Sequence, residues 1–142
     1  MKRRRRNLLV LLLFAGAGLG LYGYYRYNEG NPSVMDQTVA ARFSAEALLD
    51  VFQKDETGAT RQYADKVLAV RGSVRRIAIE PTGGYTLYLA TMDIMRSISC
   101  SLDTLVYRQS PPTLHIGDSV EIRGVCTGSL LDIVMVRCVV EK

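Results

Sequence analysis

One histidine and three cysteines among 142 residues leave little material for metal or nucleophile chemistry. His115, Cys100, Cys126 and Cys138 are the whole supply, and no two cysteines stand at CxxC spacing. A structural zinc site draws on four such ligands in closely spaced pairs, so no metal centre is expected, nor a Cys–His catalytic pair. His115 reads as an exposed turn residue. No glycine-rich phosphate cradle is present either, since Pro81-Thr82-Gly83-Gly84 has the composition of a turn. Asp103, Asp118 and Asp132 fall at turns or strand ends, where turn chemistry accounts for acids. The chain therefore reads as a non-enzyme with no cofactor and no catalytic residues.

Negative charge is missing from the first 27 residues, which carry six bases and no acid. The overall charge of +4 is the work of that tail, because residues 28–142 hold twelve bases against fourteen acids. A mildly acidic body lacks the broad positive surface that drives binding to phosphate backbones, so charge argues against nucleic acid as a partner.

What the N-terminus does have is an apolar run. Leu8 to Tyr25 is free of charge, and as a helix its 18 residues would span ~27 Å, close to the ~30 Å hydrocarbon core of a bilayer. Tyr22, Tyr24, Tyr25 and Tyr27 cluster at its far end, as interfacial aromatics do, and five bases precede it. The pattern predicts a basic tail and transmembrane anchor over 1–27 that serves as an uncleaved signal-anchor. It passes a membrane once through residues 8–25, with the bases on the cytoplasmic side and the C-terminal domain outside. The competing reading is cleavage after Ala15-Gly16-Ala17, which would remove residues 1–17. No cysteine follows the apolar run before Cys100, so N-terminal lipidation is not expected. Gly16 and Gly20 fit the GxxxG close-packing motif, which admits a weak homodimer through the membrane helix.

A polar stretch at 28–36 reads as a tether, and residues 37–142 as a helix plus a β domain. Ser44 is a good N-cap, Glu46 suits the first turn, and Phe43, Leu48, Val51 and Phe52 recur at helical spacing up to a stop at Gly58. After Lys66 the period changes to two. Strands are predicted over Val67–Ile79, with Gly72 marking a bulge or bend, then Tyr85–Met92, Ser97–Leu102, Ser119–Cys126 and Ile133–Val140. A longer connection, broken by Pro111-Pro112, separates the third from the fourth. Five short strands with one long link are the parts of a mainly β, five-stranded OB-type barrel, here preceded by an amphipathic helix.

In SAEALLDVF, YADKVLAVRGSV, SISCSL, LHIGDSVEIRGVCTG and DIVMVRC, covering roughly residues 43–140, the chain resembles the tRNA_anti-like family of small bacterial OB-fold envelope proteins. The resemblance implies an envelope-anchored OB domain, which with the N-terminal reading places a single-pass anchor in the bacterial inner membrane and leaves the C-terminal domain periplasmic. Many relatives carry a lipoprotein signal, for which this chain substitutes a transmembrane helix.

Two features of the barrel follow from strand parity. In a hairpin centred near Asp132, Cys126 and Cys138 would face each other inward, which predicts a Cys126–Cys138 disulfide in an oxidising compartment, with Cys100 a buried free thiol. The outward face of the first three strands, where OB folds commonly bind ligands, supplies Arg71, Arg75, Arg76, Tyr88 and Arg96 as ligand-binding candidates. One tyrosine and a few arginines make a thin version of a single-strand binder. The function expected is thus a non-enzymatic binding or scaffolding module that holds envelope protein or glycan near the membrane. A nucleic-acid-binding OB domain is the alternative.

Overall fold

The computed structural model describes residues 2–28 and 32–141, in two compact units over 1–32 and 33–142. The first unit is one helix, α1 (Lys2–Asn28), without an acid in its first turn. Among the described residues no helix is long and apolar enough to cross a membrane. The side chains of Leu8 and Leu9, which open the apolar run, lie outside the described residues.

The second unit begins earlier than the expected tether allows. Residues 29–31 of that tether lie outside the described residues. Val34–Asp36 form a 3₁₀ turn capped by the Ser33 hydroxyl, and Val34 is fully buried beside Val67 and Val125. Arg123 fixes this turn, donating to the Met35 carbonyl at 3.0 Å while pairing with Glu141.

A short strand that the sequence pattern does not predict, β1 (Ala41–Ser44), follows and holds Phe43, which apolar spacing groups with the helix after it. Phe43 meets Tyr63 edge-on, ring centroids 5.4 Å apart. Ser44 then caps α2 (Ala45–Lys54), its hydroxyl accepting from the Ala47 amide at 3.1 Å. The helix stops at Asp55 and not at Gly58. Asp55 leaves the helical conformation (φ −154°, ψ 85°), and its carboxylate accepts from the Gly58 amide at 2.9 Å to start α3 (Glu56–Tyr63). The apolar stripe Leu48, Leu49 and Phe52 is buried against the sheet. Each such side chain contributes about 1.5–3 kcal/mol when removed from water.

The barrel consists of β2 (Val67–Ile79), β3 (Tyr85–Leu89), β4 (Ile98–Leu102), β5 (Ser119–Ser129) and β6 (Ile133–Glu141), with a single-turn α4 (Thr104–Tyr107) in the long connection. Strand order is β2-β3-β4-β6-β5, closed by pairing of β2 with β5. The β4–β6 pair is parallel and the others antiparallel, while β1 adds to β2 in parallel. This is a closed five-strand barrel, mainly β. Closure comes from β2, whose first half pairs with β5 and whose second half, from Val74, pairs with β3. The alternation in β4 is clean, with Ile98, Cys100 and Leu102 buried and Ser99 and Ser101 turned outward. Among the described residues, the two core clusters draw only on Val34 and later positions, so the second unit carries its own hydrophobic interior.

Gly72 does not mark the bulge in β2. A Cβ there would stand 3.0 Å from Ala45 Cβ and 3.4 Å from the Leu89 side chain, so glycine lets the start of α2 lie against the sheet. The bulge falls between Val74 and Arg76.

The expected Cys126–Cys138 disulfide is not formed; all three cysteines are free and buried. The reason is register. Cys126 faces Met135, not Cys138, because the β5–β6 hairpin turns one residue earlier than parity suggested and carries irregularities between Arg123 and Val125 and between Cys126 and Gly128. Arg137 adopts a φ of 52°, the left-handed conformation that a bulge uses. Cys138 lands over Gly124, where an added Cβ would meet its Sγ at 2.4 Å. Its thiol neighbour is Cys100 on β4.

Candidate binding face

The bulge in β2 builds the face. Strict alternation would turn one of two adjacent residues inward, but Arg75 is the extra residue between Val74, opposite Leu89, and Arg76, opposite Tyr88. Both arginines are therefore exposed. The Arg76 guanidinium lies 3.9 Å above the Tyr88 ring centroid, a cation–π contact that fixes both planes. Arg96 arrives from the loop between β3 and β4. These four residues, with Ile94, Met95, Ser97 and Asp132, line one depression of about 310 Å³.

The loop that delivers Arg96 is braced by its own polar groups. The Thr91 hydroxyl donates to the carbonyls of Asp93 at 3.0 Å and Arg96 at 2.5 Å. The Asp93 carboxylate accepts from the Met95 amide at 2.9 Å. Asp132, at the β5–β6 turn, accepts from the Ser97 amide at 2.8 Å and the Ser97 hydroxyl at 3.0 Å. Asp132 thus joins the two loops through one carboxylate oxygen, and its charge stays in the lining of the depression. Among the described residues, no ion pair engages Arg75, Arg76 or Arg96. Their guanidinium groups are available to an anion.

Four of the five sequence candidates, Arg75, Arg76, Tyr88 and Arg96, come together. Arg71 does not. It lies on the half of β2 that pairs with β1 and β5, in a depression shared with Arg42, Glu121 and Glu141, where Arg42 pairs with Glu121. There the charges balance one another.

A second depression, about 410 Å³, lies between the long connection and the β5–β6 pair, walled by Tyr107, Pro111, Pro112, Leu114, Val120 and Val140. Its only mark in the sequence is the Pro111-Pro112 break. Tyr107 is fixed there by the Val140 amide, which donates to its hydroxyl at 2.9 Å. The charged residues of its lining are Asp118 and Glu141, with no base.

Two of the buried thiols are pushed toward the protonated form. The Cys138 thiol is held well above the ordinary range by its hydrogen bond with the Cys100 side chain and by burial. Burial also raises Cys126. Both stay protonated near neutrality. His115 is exposed on its turn, with Nδ1 3.8 Å from the Asp118 carboxylate. Among the described residues, no three His, Cys, Asp or Glu side chains converge on a point.

A model of the tRNA_anti-like family matches residues 1–140. The chain belongs to the tRNA_anti-like family. Its match spans both α1 and the barrel. A crystal structure of a Klebsiella pneumoniae subsp. pneumoniae protein, described as a "putative nucleic acid-binding lipoprotein", shares the fold with a TM-score of 0.57 at 15% identity, covering 81% of this chain and 100% of that one. At that identity the likeness to the Klebsiella chain is one of fold. No curated protein matches this tRNA_anti-like chain.

Proposed function

We propose that this tRNA_anti-like protein is a non-enzymatic binding module of the bacterial envelope, anchored through α1 and presenting a basic face that takes an anionic ligand. The observation that carries the reading is the convergence of Arg75, Arg76 and Arg96 on Tyr88, with none of the three engaged by an acid among the described residues. Guanidinium groups bind carboxylate, sulfate and phosphate through paired N–H donors, so an acidic protein segment or an acidic glycan fits the site. The anchor rests on the basic tail, the apolar run from Leu8 and the tyrosine cluster. The Klebsiella neighbour is itself described as a lipoprotein.

Single-stranded nucleic acid is the second reading. It is favoured by the arginine–tyrosine stack, a small version of the platforms that hold bases, and by the description of the Klebsiella neighbour. It stays second because the body carries more acids than bases. Fluorescence anisotropy of labelled oligonucleotides with residues 32–142 separates the two. The first reading expects affinity no tighter than about 10⁻⁴ M at physiological salt. Micromolar binding that weakens steeply with salt and disappears in Arg75→Ala/Tyr88→Ala would put nucleic acid first. The anchor is tested by fusing alkaline phosphatase to the C-terminus. The fusion is expected to be active in intact cells and to sediment with membranes; an inactive fusion would reverse the orientation.

A further inference from the structure

The barrel end that carries the basic face also holds apolar side chains out in water. Met92, Ile94 and Met95 in the β3–β4 loop, and Leu130 and Leu131 in the β5–β6 turn, are between 80% and 90% exposed. These loops are not slack. Besides the Thr91 and Asp93 bonds, the Met92 amide donates to Glu46 of α2 at 2.6 Å. The Leu130 amide donates to the Asp132 carbonyl at 3.1 Å, and the Ile133 amide to the Ser97 carbonyl at 3.2 Å. Ser97 and Asp132 thus tie the two loops into one rim.

We infer that this rim seats on an anionic phospholipid surface, with the apolar tips entering the boundary between headgroups and acyl chains. Arg75, Arg76 and Arg96 would meet the lipid phosphates. The inference rests on the reading of the basic face as anion-binding. Three observations favour a bilayer over a protein. Side chains at such exposure touch almost nothing of their own protein, so they project as separate tips. A rigid partner would need a matching pocket for each tip, whereas acyl chains flow around them. Bases stand next to the tips, which is the pairing that interfacial membrane segments use. The nearby acids Glu46, Asp93 and Asp132 each accept a loop amide, and of the three only Asp132 shares the depression with the arginines.

The test is flotation of residues 32–142 with vesicles of neutral phosphatidylcholine, and with vesicles containing increasing phosphatidylglycerol, at physiological salt. Tripolyphosphate serves as the soluble anion. Binding is expected only to the phosphatidylglycerol vesicles. Arg75→Ala/Arg96→Ala should weaken it about thirty-fold, for two bases lost near a charged surface. Met95→Ser/Leu131→Ser should weaken it at least about tenfold while leaving tripolyphosphate binding intact. Circular dichroism and thermal melts confirm that each variant folds. Vesicle binding indifferent to Met95 and Leu131 would overturn the inference. So would absence of vesicle binding with tripolyphosphate still bound, which would leave the anion-binding reading standing. Loss of both would remove both. Self-association that Met95→Ser/Leu131→Ser relieves, without vesicle binding, would assign the tips to a second copy of this chain and likewise overturn it.

Discussion

Replacing Gly124 by alanine probes the register of the last hairpin at its tightest point. The new Cβ would lie 2.4 Å from Cys138 Sγ, 3.3 Å from Met135 Cε and 3.3 Å from the Val136 carbonyl oxygen. One neighbour is backbone, and all of these groups sit inside the barrel wall, so the methyl cannot swing into solvent. Overpacking of this kind costs about 1–3 kcal/mol, and the sulfur contact puts Gly124→Ala at the upper end. In a domain of about 110 residues that lowers Tm by roughly 10 °C. Cys138→Ala alone leaves a small void and costs about 1–2 kcal/mol. Combined, the two should cost less than their sum by about 2 kcal/mol, because the alanine methyl at 124 fills the space the sulfur vacates. Urea denaturation followed by circular dichroism on residues 32–142 measures all four corners of the cycle. Costs that add to within about 0.5 kcal/mol would refute the placement of Cys138 over Gly124, and with it the hairpin register.

Peptide mapping of unreduced, alkylated protein should show no link between Cys126 and Cys138; a linked pair would contradict the same register from another direction. The thiol pair also predicts a pH dependence. A thiol whose pKa rises on folding binds its proton more tightly in the native state, so the stability it contributes is complete below the unfolded value of about 8.5 and is lost as pH rises toward the folded value. Denaturation at pH 7 and pH 10 should therefore show a fall that is smaller in Cys138→Ala; an equal fall in both would reject the coupling of Cys138 to Cys100. Asp132→Ala should cost about 1–3 kcal/mol, the consequence of leaving Ser97 without its acceptor, and should loosen the loop that carries Arg96, seen as faster amide exchange at Ser97. Unchanged exchange there would remove Asp132 as the tie between the loops.

The barrel was legible because its strands advertise themselves. In SISCSL every second residue faces the core, and the β2 and β5 segments begin where period-two patterning starts. The disulfide expectation fails on an irregularity that shifts parity by a residue. Cys126 and Cys138 have matching parity on paper, but the bulges on either side of Val125 and the left-handed Arg137 carry Cys138 onto Gly124. At Asp55 a single non-helical residue splits an amphipathic pattern that otherwise runs on, and no spacing rule sees it. The same kind of irregularity creates the binding face. Without the extra residue in β2, Arg75 and Arg76 could not both be exposed, so their adjacency in sequence was the signal. Arg71 lies apart from the other four candidates because sequence cannot say where a long strand exchanges one partner for another. The depression at Tyr107 stayed hidden because its walls come from a connection with no periodicity.

The most direct test of the binding face is a nitrogen-15 NMR titration of residues 32–142 with tripolyphosphate. The account predicts shifts concentrated at Arg75, Arg76, Tyr88 and Arg96, with Arg71 and the lining of the Tyr107 depression unmoved, and saturation lost in Arg75→Ala/Arg96→Ala. Shifts centred on Tyr107 and Leu114, or no shifts at all, would contradict it.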